Sequence, residues 1–372
     1  MTGAVDIPLF RTFTSDDVGP RISAVLASGQ LAMGPRVQAF EESLAQWLGV
    51  REVAAVSDGS AAITLALHLA GVQAGDGVLA SPVACTASLM PIANIRAIPV
   101  WLDIDPDTGM TTPAEVIRAG TDHARAFLHV QWSGDPGDVQ ALAHAAREAG
   151  LASIVDATES FGAERDGRRW LDDADFTAWS FYASKTLSTG EGGALAARDP
   201  ESLLRARQLR RFGIDRNRQR TSAGDLSEAL DIAEAGWAMS LTDISASLGE
   251  ANLPHMDRLL KRQRENAAFF DQQLTGIPGL KLLRRNLRSR PAFWTYSLRA
   301  ERREDLTRKL HAAGIGAQRL HLRADRFSCF GGTPAELPGV ALFDSENLSI
   351  PCGWWVEDAD RERIVATIRN GW

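Results

Sequence analysis

Cysteine is sparse in this chain. Cys85, Cys329 and Cys352 are the only three, and their wide spacing makes neither a disulfide framework nor a zinc signature. The seven histidines are scattered, with no HExxH and no Cys/His cluster, so no metal site is expected. No apolar run reaches the roughly 18 residues that a membrane span needs. The opening Met1–Phe13 lacks the charged start and apolar stretch of a secretory signal. A cytoplasmic chain with no membrane contact is the expectation. An excess of base is missing too: the formal net charge is −7 and the sequence pI about 5.6. That balance leaves no footprint for nucleic acid. Arginine-rich spots such as 205–220 have acidic residues nearby and read as solvated faces. Walker A and GxGxxG sequences are both absent, which disfavours a P-loop or a Rossmann dinucleotide site.

What is present is an ordinary globular composition, 45% apolar and 23% charged over 372 residues. That length exceeds one typical domain and points to one large and one smaller unit. Short apolar runs recur at Val53–Val56, Gly77–Ser81, Ile98–Leu102, Arg125–Val130, Ala152–Val155 and Thr177–Phe181. Helical patterns separate several of them, among them Ala61–Leu69, Pro113–Ala119 and Asp138–Ala149; Pro35–Leu48 is a clear helix before them. This rhythm predicts an α/β fold, a mostly parallel sheet covered on both faces. It stops near Gly193. Residues 213–236 are polar and read as a loop or an irregular helix. Leu241–Leu274 reads as a long helix broken near Pro254. Alternating elements then resume in Phe293–Leu298, Arg303–Ala313 and Asp358–Ile368. The expected division is a large domain over 1–240 and a small α+β domain over 241–372.

Lysine is scarcer than its chemistry would lead one to expect. The chain has four: Lys185, Lys261, Lys281 and Lys309. Three stand in charged stretches, as surface lysines do. Lys185 follows the apolar run Trp179-Ser180-Phe181-Tyr182 and precedes a Gly-rich turn. There, burial would lower its pKa and make its amine nucleophilic, as a Schiff base requires. A strand-capping lysine that reaches solvent is the alternative. Asp156 ends the run Ile154-Val155, where ligands bind in parallel sheets. It is placed either to pair with a pyridine nitrogen or to cap a helix. Ser57-Asp58-Gly59-Ser60-Ala61-Ala62 is a strand, a small-residue turn and a helix start. Its amides and hydroxyl suit a phosphate, or simply an ordinary cap. Phosphate turn, then aspartate, then lysine is the order of fold-type I enzymes of pyridoxal 5′-phosphate (PLP).

At this point the chain resembles the DegT family of sugar aminotransferases, in a perosamine-synthase-like branch, from about Pro8 to Trp372. The residues that carry the likeness are Ser57–Ala62, Gly75–Val78, Pro99–Asp105, Asp156–Glu159, and Ser180–Lys185 with Gly190–Gly193. Pro82–Ser88 and Ile350–Trp355 add to it. The resemblance implies a fold-type I PLP-transferase. Lys185 would carry the cofactor as a Schiff base and shuttle the proton. Asp156 would pair with the pyridine nitrogen, and Ser180 with Gly59, Ser60 and Ala61 would hold the phosphate. Cys85 and Thr158 would lie against the two ring faces, and Glu159 beside the phenolic oxygen. His321 matches an H-x-R-x-D stretch of the branch and either faces the substrate or is structural. Trp132 either lines the pocket mouth or belongs to the core.

The implied reaction moves an amino group from glutamate or glutamine to a keto sugar, a nucleotide-linked 4-keto-6-deoxy sugar. The alternatives are a keto-cyclitol or other natural-product substrate, and a catalytically lapsed PLP-binding regulatory protein. The resemblance also implies a homodimer with shared active sites, to which 213–236 would contribute. Three positions depart from the family pattern. Glu159 replaces a Gln or His, and an ionised Glu would repel the phenolate, so one of the two should hold a proton. That predicts a higher pKa for the lysine–cofactor imine than in a Glu159→Gln variant. Ala238 and Ser240 replace an Asn that reaches the partner's phosphate and an Arg near the active site.

Overall fold

The computed structural model describes residues 5–120, 123–169, 173–216 and 218–372. Among them the strands are β1 (Ala54–Val56), β2 (Gly77–Ala80), β3 (Ile98–Trp101), β4 (Ala124–Val130), β5 (Ala152–Asp156), β6 (Glu164–Arg165), β7 (Phe176–Ser180), β8 (Gly193–Ala197), β9 (Leu280–Leu282), β10 (Ser289–Arg290), β11 (Tyr296–Ala300) and β12 (Asn347–Ile350). The helices are α1 (Val18–Ser28), α2 (Pro35–Leu48), α3 (Gly59–Leu69), α4 (Thr86–Asn94), α5 (Pro113–Ala119), α6 (Val139–Glu148), α7 (Pro200–Leu209), α8 (Asp243–Asn252), α9 (Met256–Leu274), α10 (Arg303–Ala312), α11 (Pro338–Glu346) and α12 (Asp358–Arg369).

The main sheet has seven strands in the order β1-β8-β7-β5-β4-β2-β3. β8 alone runs against the others, between β1 and β7. The parallel pairs are β2 with β3 and β4, β4 with β5, and β5 with β7. The expected α/β class is the one found. Residues of β1, β2, β5 and β7 are buried on both faces, as helices covering both sides require, while the edge strand β3 is partly exposed. On one face, α3 packs Ile63, Leu65 and Ala66 against Val78, Leu128 and Leu195. On the other, Phe40 and Leu44 of α2 meet Trp179 and Phe181. Asp58 starts α3: its Oδ1 accepts the Ala61 N–H at 2.8 Å.

A smaller antiparallel sheet, β12-β11-β9, forms a second core with α9, α10 and α12. Ile7, near the chain start, bridges to Ile315 and is buried in that core. The helical run from Leu241 breaks as its proline suggested. α8 ends at Asn252, a tight turn covers Leu253–His255, and α9 continues to Leu274. Between Gly213 and Gly236 there is no helix or strand among the described residues.

Candidate active site

The strands deliver their chemistry at one edge, as parallel sheets do. β5 ends on Asp156, β7 ends on Ser180, and β1 leads into the turn before α3. A cavity of about 410 Å³ opens there, lined by Gly59, Ser60, Cys85, Thr158, Ser180, Lys185 and His321. Those are seven of the residues singled out from the sequence. Asp58, Ser88, Tyr182, Ser184, Glu191 and Trp294 complete most of the wall. A wider hollow near α2 and α7 is rimmed by Glu41, Arg51, Glu52, Arg207 and Arg210. Four of its charges form ion pairs, Arg207 with Glu52 and Arg210 with Glu41.

Lys185 is buried, and its Nζ lies 3.6 Å from the centroid of the Trp294 ring. Among the described residues no carboxylate stands within ion-pair distance of it. An aromatic face is a weak substitute for a carboxylate. Trp294 is itself fixed, with its Nε1–H donating to the Ser184 carbonyl at 2.7 Å and Phe10 stacked on it at 4.8 Å.

Asp156 is buried against Thr158 and Ser88, both of which line the cavity. Its Oδ1 accepts the Thr158 N–H at 2.9 Å. Its Oδ2 has no hydrogen-bond partner among the described residues. Burial pushes the Asp156 carboxyl above the usual carboxylate range, although Ser88 and Thr158 pull the other way. A buried carboxylate oxygen left open beside a cavity is costly unless a donor arrives.

At the far end, Gly59 sits where a side chain would not fit. A Cβ there would stand 2.9 Å from the Ser180 Cβ and 3.2 Å from the Thr158 methyl. The Ser60 hydroxyl donates to the Ala87 carbonyl at 2.7 Å, tying the two turns together. Ala61 offers the cavity nothing in this structure, because its N–H is taken by Asp58.

Glu159 is buried, and both its oxygens are engaged. Oε2 accepts the Ser133 N–H at 2.8 Å, and Oε1 meets His321 Nε2 at 2.7 Å. Burial pushes this carboxyl up, but His321, Lys185 and the Ser133 amide outweigh it and hold it below the ordinary range. Cys85 goes the other way, its thiol raised chiefly by burial. Trp132 does not line the cavity. It is buried with Met110, Val340 and Phe343, and its ring stands edge-on to His321 at 5.6 Å.

Tyr182, Ser88 and Trp294 escaped the sequence reading. Tyr182 and Ser88 lay inside motifs already quoted, three residues from Lys185 and from Cys85, and proximity alone would have found them. Trp294 had no such signal, because its approach depends on the packing of a segment 109 residues later.

A carboxylate ends β5, a lysine follows β7 and a glycine turn stands opposite; with the comparisons that follow, they make the chain an aminotransferase of α/β architecture. A profile of the DegT/DnrJ/EryC1/StrS aminotransferase family matches residues 15–369, and the chain belongs to that family. The structure of AtS13 from Actinomadura melliaura superposes with a TM-score of 0.93, at 37% identity over the whole of both chains. The sugar aminotransferase CalS13 from Micromonospora echinospora gives 0.93 at 34% identity, over 98% of this chain and 100% of that one. The dTDP-3-amino-3,4,6-trideoxy-alpha-D-glucose transaminase of Streptomyces venezuelae is 30% identical over 357 residues, 94% of this chain and 90% of its own length. No helix among the described residues is long and apolar enough to cross a membrane.

Proposed function

We propose that this cavity binds pyridoxal 5′-phosphate at Lys185. We further propose that the enzyme passes an amino group from glutamate or glutamine to a nucleotide-linked 4-keto-6-deoxy sugar. The observation that carries the reading is the pairing of two unsatisfied groups at one cavity. Among the described residues, Lys185 is a buried amine with no carboxylate within ion-pair distance, and Asp156 Oδ2 is a buried acceptor with no hydrogen-bond partner. A protonated pyridine nitrogen supplies the donor that Asp156 lacks. The Gly59 turn packs so closely on Ser180 that no side chain fits, which brings the start of α3, Ser60 and Ser180 to one cavity, a place that suits the phosphate. The residues present therefore fit the cofactor.

Bound there, PLP would supply an electron sink for the carbon that gains or loses the amine. The protein's part is to position groups and move protons. Lys185 binds through its amine and then, once released, carries a proton to and from the reacting carbon. Asp156 keeps the ring nitrogen protonated. Thr158 and Cys85, both in the cavity wall, would pack against the ring. His321 lines the same cavity.

The sugar part of the proposal rests on two relatives: the transaminase above, named for a dTDP-linked amino sugar, and the dTDP-4-dehydro-2,3,6-trideoxy-D-glucose 4-aminotransferase of Saccharopolyspora spinosa, 34% identical over 265 residues. We assign the cofactor pocket to residues 1–240, and its cover, with Trp294 and His321, to 241–372. A homodimer in the cytoplasm, with 213–236 reaching the partner's site, completes the reading. The test is the visible absorbance of the protein loaded with PLP. A band lost in Lys185→Ala and kept in Lys309→Ala supports the assignment. A band that survives Lys185→Ala removes it.

A further inference from the structure

Glu159 is gripped by two groups, and each belongs to a larger arrangement. Ser133 takes a left-handed backbone, φ 55°, unusual for a residue with a side chain. Its hydroxyl donates to the Thr295 carbonyl at 2.9 Å and accepts from the Ser297 hydroxyl at 2.9 Å, so β11 and the residue before it hold it in place. That aims its N–H at Glu159 Oε2. On the other side His321 Nε2 meets Oε1, and the imidazole also lines the cavity. Among the described residues, the remaining titratable groups around Glu159 are Lys185, Asp156 and Cys85. Of all these, only Lys185 and His321 can carry positive charge.

On PLP the aldehyde carbon lies opposite the ring nitrogen, with the phosphate arm on one flank and the phenolic oxygen on the other. Under the reading above, Asp156 takes the nitrogen, Lys185 the aldehyde, and Gly59, Ser60 and Ser180 the phosphate. The polar pair left beside Lys185, for the phenolic flank, is Glu159 with His321. Once the Lys185 nitrogen is taken up by the cofactor, His321 is the cation left among the described residues to balance Glu159. A bare carboxylate at that depth would repel the phenolate and be costly to bury.

We propose that His321 is a positioning residue that carries the counter-charge of Glu159, so that the two present no net charge to the phenolic flank of the cofactor. The proposal rests on the PLP reading. It also changes the expectation from sequence, in which Glu159 acted alone and raised the imine pKa.

The experiment is a pH titration of the visible absorbance of PLP-loaded enzyme, which follows the proton shared by the Lys185 nitrogen and the phenolic oxygen. His321→Gln exposes the Glu159 charge and raises the midpoint by about one pH unit or more. Glu159→Gln alone stays within about half a unit of wild type, because burial disfavours a cation with no anion beside it. Adding His321→Gln to Glu159→Gln then changes little, and His321→Lys returns the midpoint towards wild type. Equal shifts from His321→Gln in both backgrounds, or none in either, overturn the proposal. Should His321→Gln fail to fold or to load, Glu159→Gln decides alone: a fall of more than about one unit shows an uncompensated carboxylate and overturns it. Wild type with no visible band refutes the PLP reading itself, and this proposal with it.

Discussion

Replacing Gly59 with alanine tests how closely the turn before α3 is fitted to what it holds. The added Cβ would stand 2.9 Å from the Ser180 Cβ, 3.2 Å from the Thr158 methyl and 3.4 Å from the Ser180 hydroxyl oxygen. Neither neighbour is the free end of a long side chain. Ser180 is the last residue of β7, and Thr158 is anchored by its N–H to Asp156. Overpacking a fitted site costs about 1–3 kcal/mol. Removing a glycine stiffens the unfolded chain and recovers about 0.4–1 kcal/mol. The apoprotein should therefore lose only about 1 kcal/mol of stability, the difference of those two ranges. The effect on the cofactor should be larger. Ser180 must retreat, and a hydrogen bond to a charged group is worth about 1.5–3 kcal/mol. That corresponds to a Kd for PLP weaker by roughly ten- to a hundred-fold. The assay is PLP titration followed by quenching of tryptophan fluorescence, with Ser180→Ala alongside. The two variants should fall within the same decade, and the double variant should be little worse than either. Wild-type affinity in Gly59→Ala, with Ser180→Ala weakened, would refute the coupling of this turn to Ser180.

Asp156→Asn should separate stability from binding. Burial raises the Asp156 carboxyl, so its ionisation destabilises the apoprotein. That penalty is absent below the ordinary carboxylate value near pH 4, grows as pH rises through the raised value, and is complete above it. The Asn apoprotein should thus melt higher than wild type at neutral pH and equally near pH 4, yet bind PLP at least about ten-fold more weakly, the loss of one charged hydrogen bond. A lower neutral melting point would contradict this. Glu41 is buried, pairs with Arg210 and accepts the Ala55 N–H at 2.7 Å. Glu41→Ala should cost about 3–5 kcal/mol in denaturant unfolding, because it strands a buried guanidinium; a loss under about 1 kcal/mol would show that water reaches Arg210. Light scattering should give a dimer, and a monomer with full turnover would exclude a shared site.

Most of the sheet was legible because its strands are apolar runs flanked by turn residues. β8 was missed: Gly-Ala-Leu-Ala-Ala holds no β-branched or aromatic residue, and its strand character comes from pairing on both sides. A Gly193 Cβ would meet the Asp58 and Trp179 carbonyl oxygens, so close backbone packing chose the small residue, not strand propensity. α4 hid behind Pro91 in its interior. In the site, Lys185, Asp156 and the Gly59 turn could be read because each sits in a local motif. The Glu159–His321 contact joins residues 162 apart, and no spacing announces it. The hold of Ser133 on Glu159 was equally hidden, since a left-handed serine between Trp132 and Gly134 carries no pattern.

The central claim is that Lys185 and Asp156 frame a working transamination site. Its most direct test is the absorbance spectrum of PLP-loaded protein before and after adding glutamate or glutamine, with no acceptor present. The account predicts a visible band that one of these donors converts to the spectrum of the amine form of the cofactor, in wild type and not in Lys185→Ala. A band that neither donor changes would contradict the assigned donors, and conversion that persists in Lys185→Ala would contradict the assigned lysine.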